Sequence, residues 1–133
     1  MSTMTSTARR EATIAKPAEH PGLARLTDRR LLRQLSYIDG RWTAASDGET
    51  FPVTDPATGA LVAQVAALGA SETTQAIEAA HAAFPTWKAL LPQERAALLR
   101  RWHAAMLAAA EDLALLMTLE QGKPLAESRS ARS

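Results

Sequence analysis

At 133 residues, 47% of them hydrophobic, the chain is long enough for one domain with a modest core and lacks the composition of a disordered protein. Much of the hydrophobic share is alanine and only 5% of residues are aromatic, so large core-building side chains are few. A formal net charge of +1 gives no electrostatic case for nucleic acid or an acidic membrane surface, and the lack of cysteine excludes a disulfide scaffold, a thiolate metal site and a cysteine nucleophile in these residues.

Residues 1–22 are rich in Ser, Thr, Ala and Arg, contain Pro17 and Pro21, and show no hydrophobic period; they are expected to form a disordered leader. Arg9 and Arg10 faintly suggest an organelle address, but Glu11, Glu19 and the missing amphipathic stripe argue against one. No apolar signal core follows Met1 and no run reaches the roughly 18 to 20 apolar residues that span a bilayer, so the expected compartment is the cytoplasm, with no membrane partner.

Leu23, Leu26, Leu31, Leu32 and Leu35 then lie among four arginines, and Thr27-Asp28 is placed to cap a short helix from Arg29. Ser36 to Trp42 alternates as a strand pair around Asp39-Gly40, a two-residue hairpin signal, because Gly and Asx tolerate positive φ cheaply. Ala44 to Glu49 reads as loop, Phe51 to Thr54 as strand, Asp55-Pro56-Ala57-Thr58-Gly59 as turn, and Leu61 to about Ala67 as a further strand.

Beyond Gly69 the period changes from two to nearly four. Ser71 is the expected N-cap of a helix to about Phe84, with Glu72 near its positive end, Ala76, Ile77, Ala80 and Phe84 on one apolar face, and Pro85 as its stop. Pro92 suits the first position of the next helix, whose stripe runs Leu99, Trp102, Met106, Ala109, Leu113, Leu116. Glu111-Asp112 fits a new first turn and is expected to divide that run into two helices; Gly122 is the expected C′ residue and Pro124 the stop.

None of these residues forms a convincing site. The six glycines never occur as G-x-G, so no phosphate-cradling loop is present, and His20, His81 and His103 lack metal-ligand spacing. Arg100, Arg101 and His103 flank Trp102, which suggests a phosphate or base contact less well than it suggests a core tryptophan with a solvated basic flank. Glu111 and Asp112 point about 100° apart and do not make a carboxylate pair.

Three stretches together resemble the beginning of the aldehyde dehydrogenase superfamily: Tyr37-Ile38-Asp39-Gly40-Arg41-Trp42, Val53-Thr54-Asp55-Pro56-Ala57-Thr58-Gly59, and Leu119-Glu120-Gln121-Gly122-Lys123-Pro124-Leu125-Ala126-Glu127, joined by the helical stretch from Glu94-Arg95 to Trp102. The wording from Met117 to Leu125 resembles the succinate-semialdehyde dehydrogenase branch; Asp55 stands where the family commonly has asparagine, and either residue can bond the backbone beyond the proline. The resemblance implies an α/β enzyme that oxidises aldehydes through a cysteine thiolate with hydride transfer to NAD or NADP, with thiol, base and cofactor cradle all downstream of Gly122-Lys123-Pro124. It therefore carries no catalytic, cofactor-binding or metal-ligating residue onto this chain, and neither cofactor is expected to bind it.

The implied organisation is a leader over 1–22, an incomplete cofactor-domain part over 23–129 that is itself α+β, with a small antiparallel hairpin region followed by helices, and a non-family tail over 130–133. After Glu127 the family continues toward Gly-Glu-Ile, whereas this chain has Ser128-Arg129-Ser130-Ala131-Arg132-Ser133, and a run such as GGC GAG ATC read one base late encodes Ala-Arg-Ser; a frame change near Arg129 is therefore expected. Covering Leu99, Trp102, Met106, Leu113 and Leu116 contributes on the order of 10 kcal/mol. Without its covering layer the chain is expected to be marginal, to self-associate, or to pair with the missing dehydrogenase portion; the alternative is a non-catalytic helical module binding a partner through the Leu99 to Leu116 stripe.

Overall fold

The computed structural model describes residues 20–130. The chain enters through two short 3-10 turns, Pro21–Arg25 and Arg29–Leu31. It continues as β1 (Ser36–Ile38), β2 (Arg41–Thr43), β3 (Thr50–Thr54), β4 (Leu61–Ala66), α1 (Ala70–Ala89), α2 (Pro92–Ala108), α3 (Ala110–Gln121) and α4 (Leu125–Ser130). Two two-stranded antiparallel sheets and four helices make the α+β arrangement the sequence suggests.

The described structure takes in the last three residues of the expected leader. Residues 1–19 and 131–133 lie outside the described residues, but His20, Pro21 and Gly22 belong to the folded body. His20 Nδ1 accepts from the Gly22 amide at 3.1 Å and Pro21 sits at the first helical position, so a side-chain cap and a fixed φ start this turn. It buries Leu23 and is followed by the buried Leu26. Asp28 caps the second turn by accepting from the Arg30 amide at 2.9 Å, as expected for a helical turn from Arg29.

β1 and β2 turn through Asp39 at φ 49° and Gly40 at φ 73°, the left-handed pair that a tight hairpin needs. Tyr37 pairs with Trp42 across it, ring centroids 5.1 Å apart, and the Arg33 guanidinium lies 4.6 Å over Trp42. β3 pairs with β4 with a register shift at Val53/Thr54. The outer edge of β4 is closed by Gln34, whose carbonyl accepts from Ala66 at 2.8 Å and whose side-chain amide donates to the Gln64 carbonyl at 3.0 Å.

The core lies between this sheet, the first 3-10 turn and α3: Leu23, Leu26, Val62, Leu115, Leu116 and Leu119, with Leu31, Leu32 and Val53 packed against them. α3 ends at Gly122, φ 71°, as expected of its C′ position. A Cβ there would lie 2.7 Å from Pro56 Cγ, so the Gly122 bend and the Asp55–Gly59 turn, two of the three recognisable motifs, press on each other. α4 follows Pro124 immediately; Arg129 holds it to α3 through Glu111 at 2.7 Å.

Two helix boundaries differ from the sequence reading. α1 starts at Ala70 with Gly69 as N-cap instead of Ser71, because Glu72 reaches back to accept from the Gly69 amide at 3.1 Å. Pro85 does not stop α1, which runs on to Ala89. The Arg95 guanidinium donates to the carbonyls of Lys88 (3.2 Å) and Leu90 (3.0 Å), satisfying the helix end beyond the proline. The division of the long stripe is as expected: α2 and α3 meet at Ala109 with a 72° bend, and Glu111 and Asp112 fill the new first turn.

Candidate functional site

Among the described residues, five polar or ionisable side chains are buried: His20, Asp55, Glu72, Asp112 and Ser128. Each is engaged in holding loops. Asp112 accepts from the amides of Thr27 (2.9 Å) and Asp28 (2.8 Å), pinning the entry segment to the start of α3. Glu72 accepts from Ser46 at 3.0 Å as well as from Gly69; hydrogen bonding by the Ser46 side chain and by backbone amides lowers its carboxyl from 4.5 to about 2. Asp55 accepts from the Ala57 amide and the Thr58 hydroxyl, both at 2.9 Å, with His20 Nε2 at 3.3 Å from its Oδ2; the Ala57 and Thr58 bonds, with His20 after them, hold it below the ordinary carboxylate range. Ser128, fully buried, lies 3.2 Å from the Thr118 hydroxyl and 3.4 Å from the Lys123 carbonyl.

Each of these groups has a hydrogen-bond partner within the chain. The structure does not bring the three histidines together: His20 is buried against Asp55, while His81 and His103 are exposed on α1 and α2. Among the described residues no cluster of three His, Asp or Glu side chains could hold a metal ion. An open cleft of about 650 Å³ between the first hairpin and α1 is lined by Ile38, Asp39, Arg41, Thr43, Glu78 and Ala79 among others, with no histidine or serine among its lining residues.

The N-termini of α1, α2 and α3 each carry carboxylates, which bears on a dinucleotide. Its pyrophosphate needs free amides at a helix N-terminus. Here Glu72 takes the Gly69 amide before α1, Glu94 takes the Leu91 amide before α2 at 2.7 Å, and the first turn of α3 carries Glu111 and Asp112. Carboxylates therefore stand where a phosphate would have to approach.

The distinctive surface is apolar. α1 buries only Glu72 and α2 buries no side chain at all. At about 100° per residue, Leu98, Leu99, Trp102 and Met106 share an arc of roughly 100° on α2, and Ile77, Phe84 and Trp87 a similar one on α1. Their exposures reach 64% at Ile77 and 65% at Trp102. The sequence reading of Trp102 as a core residue is thus corrected for this chain: the tryptophan, 65% exposed, and its arginine flank both lie on the surface of the described residues. Ala109, Leu113 and Leu116, the α3 end of the same stripe, are half-buried or buried. Among the described residues no single helix is long and apolar enough to cross a membrane.

The functional contribution the sequence missed is that of His20, assigned to the leader; the signal for it was Pro21, a first-position proline directly after a side chain able to cap.

Comparison with known proteins places this arrangement. Residues 42–132 match the sequence pattern of the aldehyde dehydrogenase family. A glutarate-semialdehyde dehydrogenase of Pseudomonas aeruginosa is 52% identical over 104 residues, 78% of this chain and 22% of that protein. The NADP(+) succinate-semialdehyde dehydrogenase of Escherichia coli is 50% identical over 105 residues, 79% of this chain and 22% of that protein. The crystal structure of succinate-semialdehyde dehydrogenase from Burkholderia pseudomallei superimposes with a TM-score of 0.79 at 49% identity, over 81% of this chain and 22% of that one. The chain spans about a fifth of the length of the curated relatives it matches. With two-thirds of its residues inside the family pattern and the same fold in a solved member, the chain belongs to the aldehyde dehydrogenase family.

Proposed function

We propose that this chain is the opening segment of an NAD(P)-dependent semialdehyde dehydrogenase, that the whole enzyme oxidises succinate semialdehyde or a close homologue to the dicarboxylate in the cytoplasm, and that these 133 residues alone turn over no aldehyde. The two relatives are named for aldehydes bearing a carboxylate at the far end, which supports that substrate class. Oxidising an aldehyde to an acid requires a nucleophile to make the tetrahedral adduct and an acceptor for its hydride. This chain has no cysteine, and carboxylates occupy its helix N-termini.

The role left to it is structural: the exposed stripes of α1 and α2 dock on the remaining four-fifths of the enzyme. The observation that carries this reading is that one segment, with one fold, recurs in a solved chain more than four times as long, while here its two longest helices bury a single side chain. The exposed Trp102 also favours a second reading, a helical module whose α2 stripe binds an unrelated partner.

One assay separates them. NAD(P)+ reduction with succinate semialdehyde is followed for this chain alone and after mixing with the remaining portion of a semialdehyde dehydrogenase. The proposal expects no reduction by the chain alone and reduction on mixing. Turnover by the chain alone overturns it, and failure of the remaining portion to bind favours the second reading.

A further inference from the structure

We propose that His20 and Asp55 form a clasp with a fixed proton position, in which the imidazole, held as the Nε2–H tautomer, donates to the Asp55 carboxylate while its Nδ1 accepts from the Gly22 amide. The clasp fastens the point where the chain enters the folded body to the turn that packs on the Gly122 bend.

Two independent contacts determine where the proton sits. The Gly22 amide lies 3.1 Å from Nδ1 and can only donate, so Nδ1 must present a lone pair. In a neutral imidazole the hydrogen is then on Nε2, which stands 3.3 Å from Asp55 Oδ2. The opposite tautomer sets an N–H against the Gly22 N–H and a lone pair against a carboxylate. Both side chains are about nine-tenths buried, so water cannot readily relieve that mismatch. The rest of the pocket is equally specified: Asp55 Oδ1 is taken by the Ala57 amide and Oδ2 also receives the Thr58 hydroxyl. Gly22 itself cannot retreat toward α3, since an ideal Cβ there would lie 2.7 Å from Leu119 Cδ2.

The pairing implies that His20 and Asp55 depend on each other. With asparagine at 55, its oxygen is kept by Ala57 and its NH2 falls where Oδ2 was. That NH2 faces an Nε2–H, and switching tautomer to accept it breaks the Gly22 cap. Asparagine at 20, by contrast, keeps a carbonyl oxygen where Nδ1 capped Gly22 but ends short of Asp55, so it retains the cap and removes the clasp.

The test has two parts, both on the full chain. Nitrogen-15 NMR of the imidazoles at about pH 8, above the ordinary imidazole pKa of about 6.5, reads the tautomer in the unsubstituted protein. The clasp requires one species with protonated Nε2 and acceptor Nδ1 at His20; an Nδ1–H form, or an average of the two tautomers of whatever origin, overturns it. Urea unfolding of Asp55→Asn, alone and with His20→Asn, then measures the coupling. Asp55→Asn is expected to lower the folding constant roughly tenfold beside His20 and less than about threefold beside asparagine; equal loss in the two backgrounds overturns the clasp.

Discussion

α2 and α3 are consecutive, both rich in leucine and alanine, yet the 12 residues of α3 bury five side chains and the 17 of α2 bury none. Composition does not separate them; what stands opposite does. α3 faces the first 3-10 turn and the β3–β4 sheet, while the 72° bend at Ala109 carries α2 away from both. A helical stripe records that a face is meant to be covered and is silent about whether its cover lies within the same residues. α3 is held by the core, and α2 buries no side chain among the described residues.

The largest effect that sharpens this contrast comes from the packed side. Leu23, 1% exposed at the centre of the core, replaced by alanine is expected to destabilise the chain by about 3 kcal/mol in urea unfolding. Gly122→Ala forces a side chain onto a left-handed residue and into Pro56, and a loss of about 2 kcal/mol in the same measurement is expected.

Acid affects the Glu72 staple next. Its folded carboxyl ionises at about 2 instead of 4.5, so the stabilisation it contributes is complete above pH 4.5 and is lost as pH falls toward 2. Melting temperature should drop across that window, and Glu72→Gln should flatten the drop while lowering stability at neutral pH. The smallest effect belongs to the uncovered side: Trp102→Ala, at a position 65% exposed, is expected to change stability by less than about 0.5 kcal/mol in this chain, and a loss of several times that size would mean that α2 is already covered.

The local signals were legible where the backbone itself imposed a requirement. Asp39-Gly40 marked the hairpin, Gly122 the end of α3, and Glu111-Asp112 the division of the stripe, each through φ or the helix dipole. The readings that failed turned on partners distant in sequence or simply on reach. Pro85 looked final because the Arg95 guanidinium that satisfies the helix end comes ten residues later, and Ser71 looked like the cap because the backward reach of Glu72 to Gly69 has no hydrophobic period. His20 and Asp55 are 35 residues apart, and nothing in either neighbourhood announces the other. Of the buried polar groups, Asp55 reads from sequence as a turn residue and Glu72 and Asp112 as first-turn charges, and their partners at Ser46, Thr27 and Asp28 lie too far along the chain to be read locally. That the exposed face would take in α1 as well as α2 needed the packing.

Amide hydrogen exchange over residues 92–108, measured with and without the remaining portion of a semialdehyde dehydrogenase, tests the docking of α2 most directly. The account predicts fast exchange in α2 beside slow exchange in β4 and α3 when the chain is alone, and protection of α2 once the remaining portion is added. Equal protection of α2 and α3 in the isolated monomer, or no change in α2 on addition, would contradict it.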